Sequence, residues 1–246
     1  MVKKYVLLVF ITALSLAAFG QTTDKKEKRS GRPDIPGTFL IDFGLNFPFG
    51  DSVGFSTAAF GSRTVNLYYQ LDKRIGESKF SVHPGVGLGL ERYKFNNNRT
   101  LGYIAGPNDP FETLRMVPVN SLYPNSTGIK KSQLIANYVD ALVEFRFSTS
   151  PNDPGRSFKA SIGFKGGVLV DSFTKLKLRE GGETKKFKNK QDWNLNQFRY
   201  GATVRAGVGN FNLFGYYSLS PIFKNNKGPD QGELTYFTVG VSLGGF

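Results

Sequence analysis

Eight segments alternate apolar and polar residues with a period of two, no convincing amphipathic helix interrupts them, and their connections alternate between short and long. These three observations predict an all-β chain: an eight-stranded antiparallel transmembrane β-barrel, connected as an up-and-down meander. An even strand count lets such a meander close and removes its exposed edges. Composition agrees. With 29 Gly, 23 Phe and 11 Tyr in 246 residues, yet a mean hydropathy of −0.27, the chain suits strands that show lipid one face and a polar lumen the other. A soluble barrel or sandwich is the alternative, and in it the apolar parity would point inward.

The N-terminus reads as an export signal. Lys3 and Lys4 precede an apolar run from Tyr5 to Ala18, and Ala18 and Gly20 supply small residues at a cleavage site. The run is too short to span about 30 Å of hydrocarbon comfortably. Residues 1–20 are therefore expected to be a cleaved signal peptide, residues 21–36 a flexible periplasmic lead-in, and residues 37–246 the barrel domain. The expected location is the outer membrane. With no Cys, lipid attachment through an N-terminal cysteine is excluded.

The strands follow in order. The first, about 37–49, sets Phe39, Ile41, Phe43, Leu45 and Phe47 against Thr38, Asp42, Gly44 and Asn46. The second, about 64–73, sets Val65, Leu67, Tyr69 and Leu71 against Thr64, Asn66, Tyr68, Gln70 and Asp72. The third, about 79–95, opposes Val82, Val86, Leu88 and Leu90 to Ser81, His83, Glu91 and Tyr93. The fourth, about 133–147, opposes Val139, Val143 and Phe145 to Tyr138, Asp140, Glu144 and Arg146. The fifth, about 157–173, sets Phe158, Ile162, Phe164 and Val168 against Lys159, Ser161, Lys165 and Asp171. In the sixth, about 196–209, Phe198, Tyr200 and Val204 oppose Arg199, Thr203 and Arg205. The seventh, about 211–219, carries aromatics on both parities and is ambiguous. The eighth, about 235–243, opposes Phe237, Val239 and Val241 to Tyr236, Thr238 and Ser242. Connections after even-numbered strands are short, while the one from Asn96 to Ser132 is the longest. Short periplasmic turns and long outer loops are the outer-membrane pattern.

The polar parity then points Asp42, Glu91, Asp140, Glu144, Arg146, Lys159, Lys165, Asp171, Arg199 and Arg205 into the lumen. Eight strands leave room for little but side chains, so a paired, structural charge network is expected rather than an ion path. The formal charge of +13 gathers on no helix or aromatic platform, and export makes nucleic acid a poor partner. Many cations lie in the third long connection, at Lys175, Lys177, Arg179, Lys185, Lys186, Lys188 and Lys190. This segment is a candidate partner loop for lipopolysaccharide phosphates or an acidic surface protein, although a merely solvated loop has the same composition. Gly85, Gly87 and Gly89 continue strand alternation and form no nucleotide-binding turn. His83 is the single histidine, expected as a hydrogen-bonding group near the periplasmic rim, with Pro84 beside it suggesting a strand irregularity. One histidine and no cysteine offer no zinc site. No catalytic residue and no cofactor is assigned.

Several stretches resemble the porin-like outer-membrane barrels of Bacteroidota, including PorT-like proteins, and an OmpA-like eight-stranded barrel. These are residues 31–37 leading into Phe39 to Phe43, residues 137–140 and 198–202, and residues 217–224. The resemblance implies association with type IX secretion or gliding. Phe246 resembles a terminal assembly aromatic, although its parity is opposite to that of Phe237, Val239 and Val241. The expected function is a non-enzymatic, monomeric barrel acting as a surface or secretion-associated scaffold through its loops. A narrow transport channel is the alternative, followed by an outer-membrane lipid enzyme.

Overall fold

The computed structural model describes residues 37–51, 54–106 and 109–244. The expected signal peptide, the lead-in and Phe246 lie outside them. The chain runs through β1 (Thr38–Gly50), β2 (Arg63–Gln70), β3 (Lys73–Arg74), β4 (Phe80–Lys94), β5 (Arg99–Gly106), β6 (Asp109–Pro118), the short helix α1 (Val119–Leu122) and β7 (Gly128–Ser148). It continues through β8 (Phe158–Glu180), β9 (Glu183–Asn189), β10 (Phe198–Val208), β11 (Phe211–Ser218) and β12 (Leu234–Gly244). Strands β1, β2, β4, β7, β8, β10, β11 and β12 form the wall, each antiparallel to the next. Pairing of β12 with β1, from Leu40↔Gly244 to Gly50↔Leu234, closes the barrel.

Exposure decides which face is which. Phe43, Leu88, Val143, Phe164 and Val204 are exposed on the outside, while Asp42, Asn66, Glu91, Asp140, Glu144, Arg199 and Arg205 are buried inside. A soluble barrel has the opposite polarity. The ambiguous seventh strand resolves the same way: in β11, Phe211 and Leu213 face out, and Phe214 and Tyr216 face the lumen.

One expectation is corrected and another holds on one side only. Asp171 does not face the lumen. The register of β7 on β8 shifts between Asn137↔Asp171 and Tyr138↔Leu169, so Val170 is a bulge and parity reverses beyond it. Asp171 therefore turns outward and pairs with Lys190 at 2.6 Å. The irregularity expected at Pro84 is one-sided: pairing with β7 runs through Pro84↔Val143 without a shift, but on the other side the ladder breaks between β2 and β3 at Leu71 and Asp72, opposite Pro84 and His83.

The short connections lie together at one mouth. Between β10 and β11 the turn is only Gly209-Asn210, with Gly209 at φ 61°, which suits glycine at the first position of a two-residue hairpin turn. Arg74 holds the first turn by donating to the Ser78 and Glu77 carbonyls. It also reaches Asn152 of the second turn at 3.0 Å.

The long connections are structured. Within residues 96–132, β5 and β6 form a hairpin followed by α1. Strand β8 extends beyond the wall and folds back through β9.

Candidate functional site

Three regions carry the polar chemistry. The first is the lumen, which the inward parity predicted. Arg199 on β10 donates from Nε and Nη2 to the two oxygens of Asp140 on β7, at 3.0 and 2.6 Å. Its Nη1 donates to Glu91 on β4. The Tyr93 and Tyr236 hydroxyls donate to Glu91, each at 2.7 Å, and the Tyr68 hydroxyl to Asp140 at 2.9 Å. Nearer the short-turn mouth, Arg205 donates to both oxygens of Asp42 at 2.7 and 2.9 Å, and from Nε to Glu144 at 2.7 Å. Arg146 reaches Glu144 and Gln70. Of the predicted lumen charges, Asp42, Glu91, Asp140, Glu144, Arg146, Arg199 and Arg205 thus join the network. Lys165 lies beside it, its ammonium 3.6 Å from the Tyr216 ring centre, and Lys159 donates instead to the Gly209 carbonyl.

Planar guanidinium forks on carboxylates satisfy charges that have lost water. Inward aromatics complete the job, with Arg199 over Tyr138 and Arg205 over Phe214. That is why β11 carries aromatics on both parities. Gly89 and Gly167 make the room. A Cβ at Gly89 would stand 2.6 Å from Asp140 Oδ2, and one at Gly167 3.2 Å from Arg199 Nε. Between Asp42, Tyr68, Lys165 and Arg205 remains a cavity of about 10 Å³, at the limit of one water.

The second region is the outer cap. Leu101, Leu114 and Met116 of the β5–β6 hairpin pack with Trp193 and Leu195 beyond β9 and with Ile222 and Phe223 before β12. The cluster joins Tyr93, Leu134, Tyr138 and Tyr236 at the top of the barrel. Trp193 stacks on Tyr103 at 5.8 Å, and Phe55 sets its edge against Phe95 and Phe223. Sequence reasoning missed this core. Its signal was present in the alternation of Leu101 and Tyr103, and of Leu114 and Met116, hidden in a segment rich in turn residues.

The candidate partner segment is the β8–β9 hairpin, whose register sorts its cations. Lys177 lies opposite both Lys131 of β7 and Lys186 of β9, and Lys175 lies opposite Lys188. With Arg179 they occupy the face opposite to buried Leu176 and Leu178. Farther round the same outer rim, Arg63 and Arg92 stand opposite each other and both face outward. Lys185 lies on the other face and pairs with Glu180 at 3.1 Å, and Lys190 pairs with Asp171. The predicted loop is therefore one cationic sheet face plus two cations neutralised elsewhere.

The third region is the short-turn mouth, where His83 has partners that the sequence did not reveal. Its Nε2 lies 2.7 Å from Ser81 Oγ and its Nδ1 2.5 Å from Asp72 Oδ1. Thr38 Oγ1 donates to the other oxygen of Asp72 at 2.8 Å. Burial raises the Asp72 carboxyl, but the hydrogen bonds from His83 and Thr38 outweigh it and hold the group below its ordinary value. The described residues contain no group of three or more His, Cys, Asp or Glu that could hold a metal ion, and no helix among them is long and apolar enough to cross a membrane.

Several solved structures are similar to this chain at low identity. The Ail attachment invasion locus protein of Yersinia pestis is similar at 15% identity over 85% of this chain and 97% of that one, with a TM-score of 0.34. Neisserial surface protein A is similar at 12% identity, again over 85% and 97%, with a TM-score of 0.34. A Rhodopseudomonas blastica porin variant gives 10% identity over 85% of this chain and a TM-score of 0.18. No curated protein matches. The family described as outer membrane protein beta-barrel domain matches residues 19–224, and with a closed eight-stranded wall, apolar outside and charged within, the chain belongs to that family of outer-membrane β-barrels.

Proposed function

We propose that this barrel works through its outer face: a cationic collar binds phosphates of outer-leaflet lipopolysaccharide and orients the cap as a docking platform for a protein partner. The observation that carries this reading is the row Lys131, Lys177 and Lys186 in register across three strands, flanked by Lys175 and Lys188. Like charges directly opposite each other on a sheet repel, so the row lacks internal compensation and suits an anion laid across it. Its place supports the choice of anion. The collar stands at the outer end of β7 and β8, on the face whose lower part is the apolar band. There the phosphates of a lipid headgroup are the nearest anions. Each cation near an anionic membrane surface contributes about 1 kcal/mol.

The packed lumen favours a closed scaffold over a channel, and purified protein in planar bilayers is expected to carry no steady porin-sized current. In this reading collar and cap bind rather than catalyse. The PorT-like resemblance makes the finer proposal a partner from a type IX secretion or gliding assembly.

Lipopolysaccharide titration of the detergent-solubilised protein tests the collar. Replacing Lys175, Lys177, Lys186 and Lys188 together by Gln should weaken binding at least ~10-fold and flatten its salt dependence, because exposed charges are screened within about 8 Å at physiological ionic strength. Unchanged binding and an unchanged salt slope would overturn the collar.

A further inference from the structure

We propose that the short-turn mouth is a hydrolytic site, with Ser81 as nucleophile, His83 as general base and Asp72 as the residue that orients His83, acting on acyl esters that carry a phosphate or carboxylate beside the ester. The proposal goes beyond the outer-face reading and does not depend on it.

Register brings the three residues together. Ser81 and His83, two apart on β4, share its inward face. Asp72 follows β2 at the entry to the β3–β4 hairpin, in which Lys73 lies opposite Val82 and Arg74 opposite Ser81. A hydroxyl hydrogen-bonded to an imidazole, itself oriented by a carboxylate, is the arrangement that activates serine. With Nδ1–H donated to Asp72, Nε2 is left as the base facing Ser81 Oγ.

Two features exceed what a buried histidine needs. Ser81 is only half-buried and opens on a cavity of about 230 Å³. Among the described residues Asp72 is the one carboxylate on that cavity's wall, which also carries Arg74, Lys79, Arg146 and Lys159. Arg146 lies directly across from Ser81 on β7. Lys159 donates to the Gly209 carbonyl at 3.0 Å and borders a second cavity of about 270 Å³ that shares Asp72 and Arg146. Excess cationic charge in a recess selects an anionic ligand, and a guanidinium beside the nucleophile can stabilise an oxyanion.

The chemistry balances without a cofactor. Ser81 Oγ bonds to the ester carbonyl carbon as its proton passes to His83 Nε2, and the carbonyl π pair moves to the oxygen facing Arg146. Collapse breaks the carbon–alkoxide bond, and His83 returns the proton to the departing alcohol. Water, deprotonated by His83, then cleaves the acyl-Ser81 bond, releasing the acid and restoring Ser81.

The test uses full-length barrel purified in detergent, with its fold checked by the shift between heated and unheated migration. A fluorophosphonate probe should add to Ser81, located by peptide mass, and hydrolysis of a carboxylate-bearing nitrophenyl ester should exceed that of a neutral one. His83→Gln should slow both labelling and hydrolysis by about 100-fold or more. Asp72→Asn should lower kcat and move the pH at which activity appears, which loss of a purely structural contact would not. Lys159→Gln should raise KM for the anionic ester more than for the neutral one. Folded wild-type protein that takes no label at Ser81, or labelling equally fast in His83→Gln, overturns the site. Equal hydrolysis of both esters overturns the substrate class.

Discussion

Lumen and cap have opposite interiors. In the wall, Phe, Leu and Val point out and the centre is Arg199, Arg205 and their carboxylates. Above it, Leu101, Leu114, Trp193 and Phe223 are the centre, and Lys175, Lys186 and Lys188 face outward. One chain therefore obeys both rules, and what changes between them is the solvent. Hydrocarbon gives outward apolar groups no reason to hide, whereas polar groups inside must find partners because there is no water to do it. In the cap, water restores the ordinary hydrophobic drive.

The largest way to break this comparison is at a lumen guanidinium. Arg199→Leu strands Asp140 and Glu91 without their cation and should cost about 3–5 kcal/mol. Urea unfolding of refolded barrel should show the loss over the whole wall. An unshifted midpoint would mean that the lumen charges are solvated rather than paired.

This contrast also explains what was legible. The eight strands could be read because outward apolar residues alternate with inward polar ones, and the same parity located Asp42, Glu91, Asp140, Glu144, Lys165, Arg199 and Arg205 in the lumen. Asp171 was misplaced because a single bulge at Val170 reverses parity and leaves no mark in composition. The cap was hidden because Leu101, Tyr103, Leu114 and Met116 alternate only briefly, between Asn and Pro residues that resemble loop. At the other mouth, Ser81 and His83 shared a face by spacing alone. Asp72 needed the register of the β3–β4 hairpin.

A second break belongs to the cap. Leu101→Ala removes a buried side chain and should cost about 2–5 kcal/mol locally. Proteolysis of the β5–β6 hairpin should accelerate while heat-shifted migration of the barrel stays as it was. Concerted loss of the wall would show that the two interiors fold as one.

Packing at the lumen sharpens the comparison further. Gly89→Ala presses a methyl against the Arg199–Asp140 pair and should cost about 1–3 kcal/mol, read as a lower unfolding midpoint. The smallest effect is expected at the short-turn mouth. The folded Asp72 carboxyl lies below its unfolded value, so the stability it contributes is present above the ordinary carboxylate range and disappears as pH falls through the lowered value. Asp72→Asn should therefore be slightly less stable near neutrality and lose less on acidification. An acid limb as steep as wild type would separate this carboxylate from acid sensitivity.

The polarity inversion itself is tested most directly by fluorescence, because the chain has one tryptophan. Trp193 is 2% exposed within the cap, so in bilayers its emission should be quenched neither by brominated acyl chains nor by aqueous iodide. Moving the reporter by combining Trp193→Phe with Val204→Trp places it on the outward face of β10, where Val204 is 51% exposed. There brominated lipid should quench it and iodide should not. Quenching of that reporter by iodide, with brominated lipid silent, would put the apolar face of the wall in water and contradict the account.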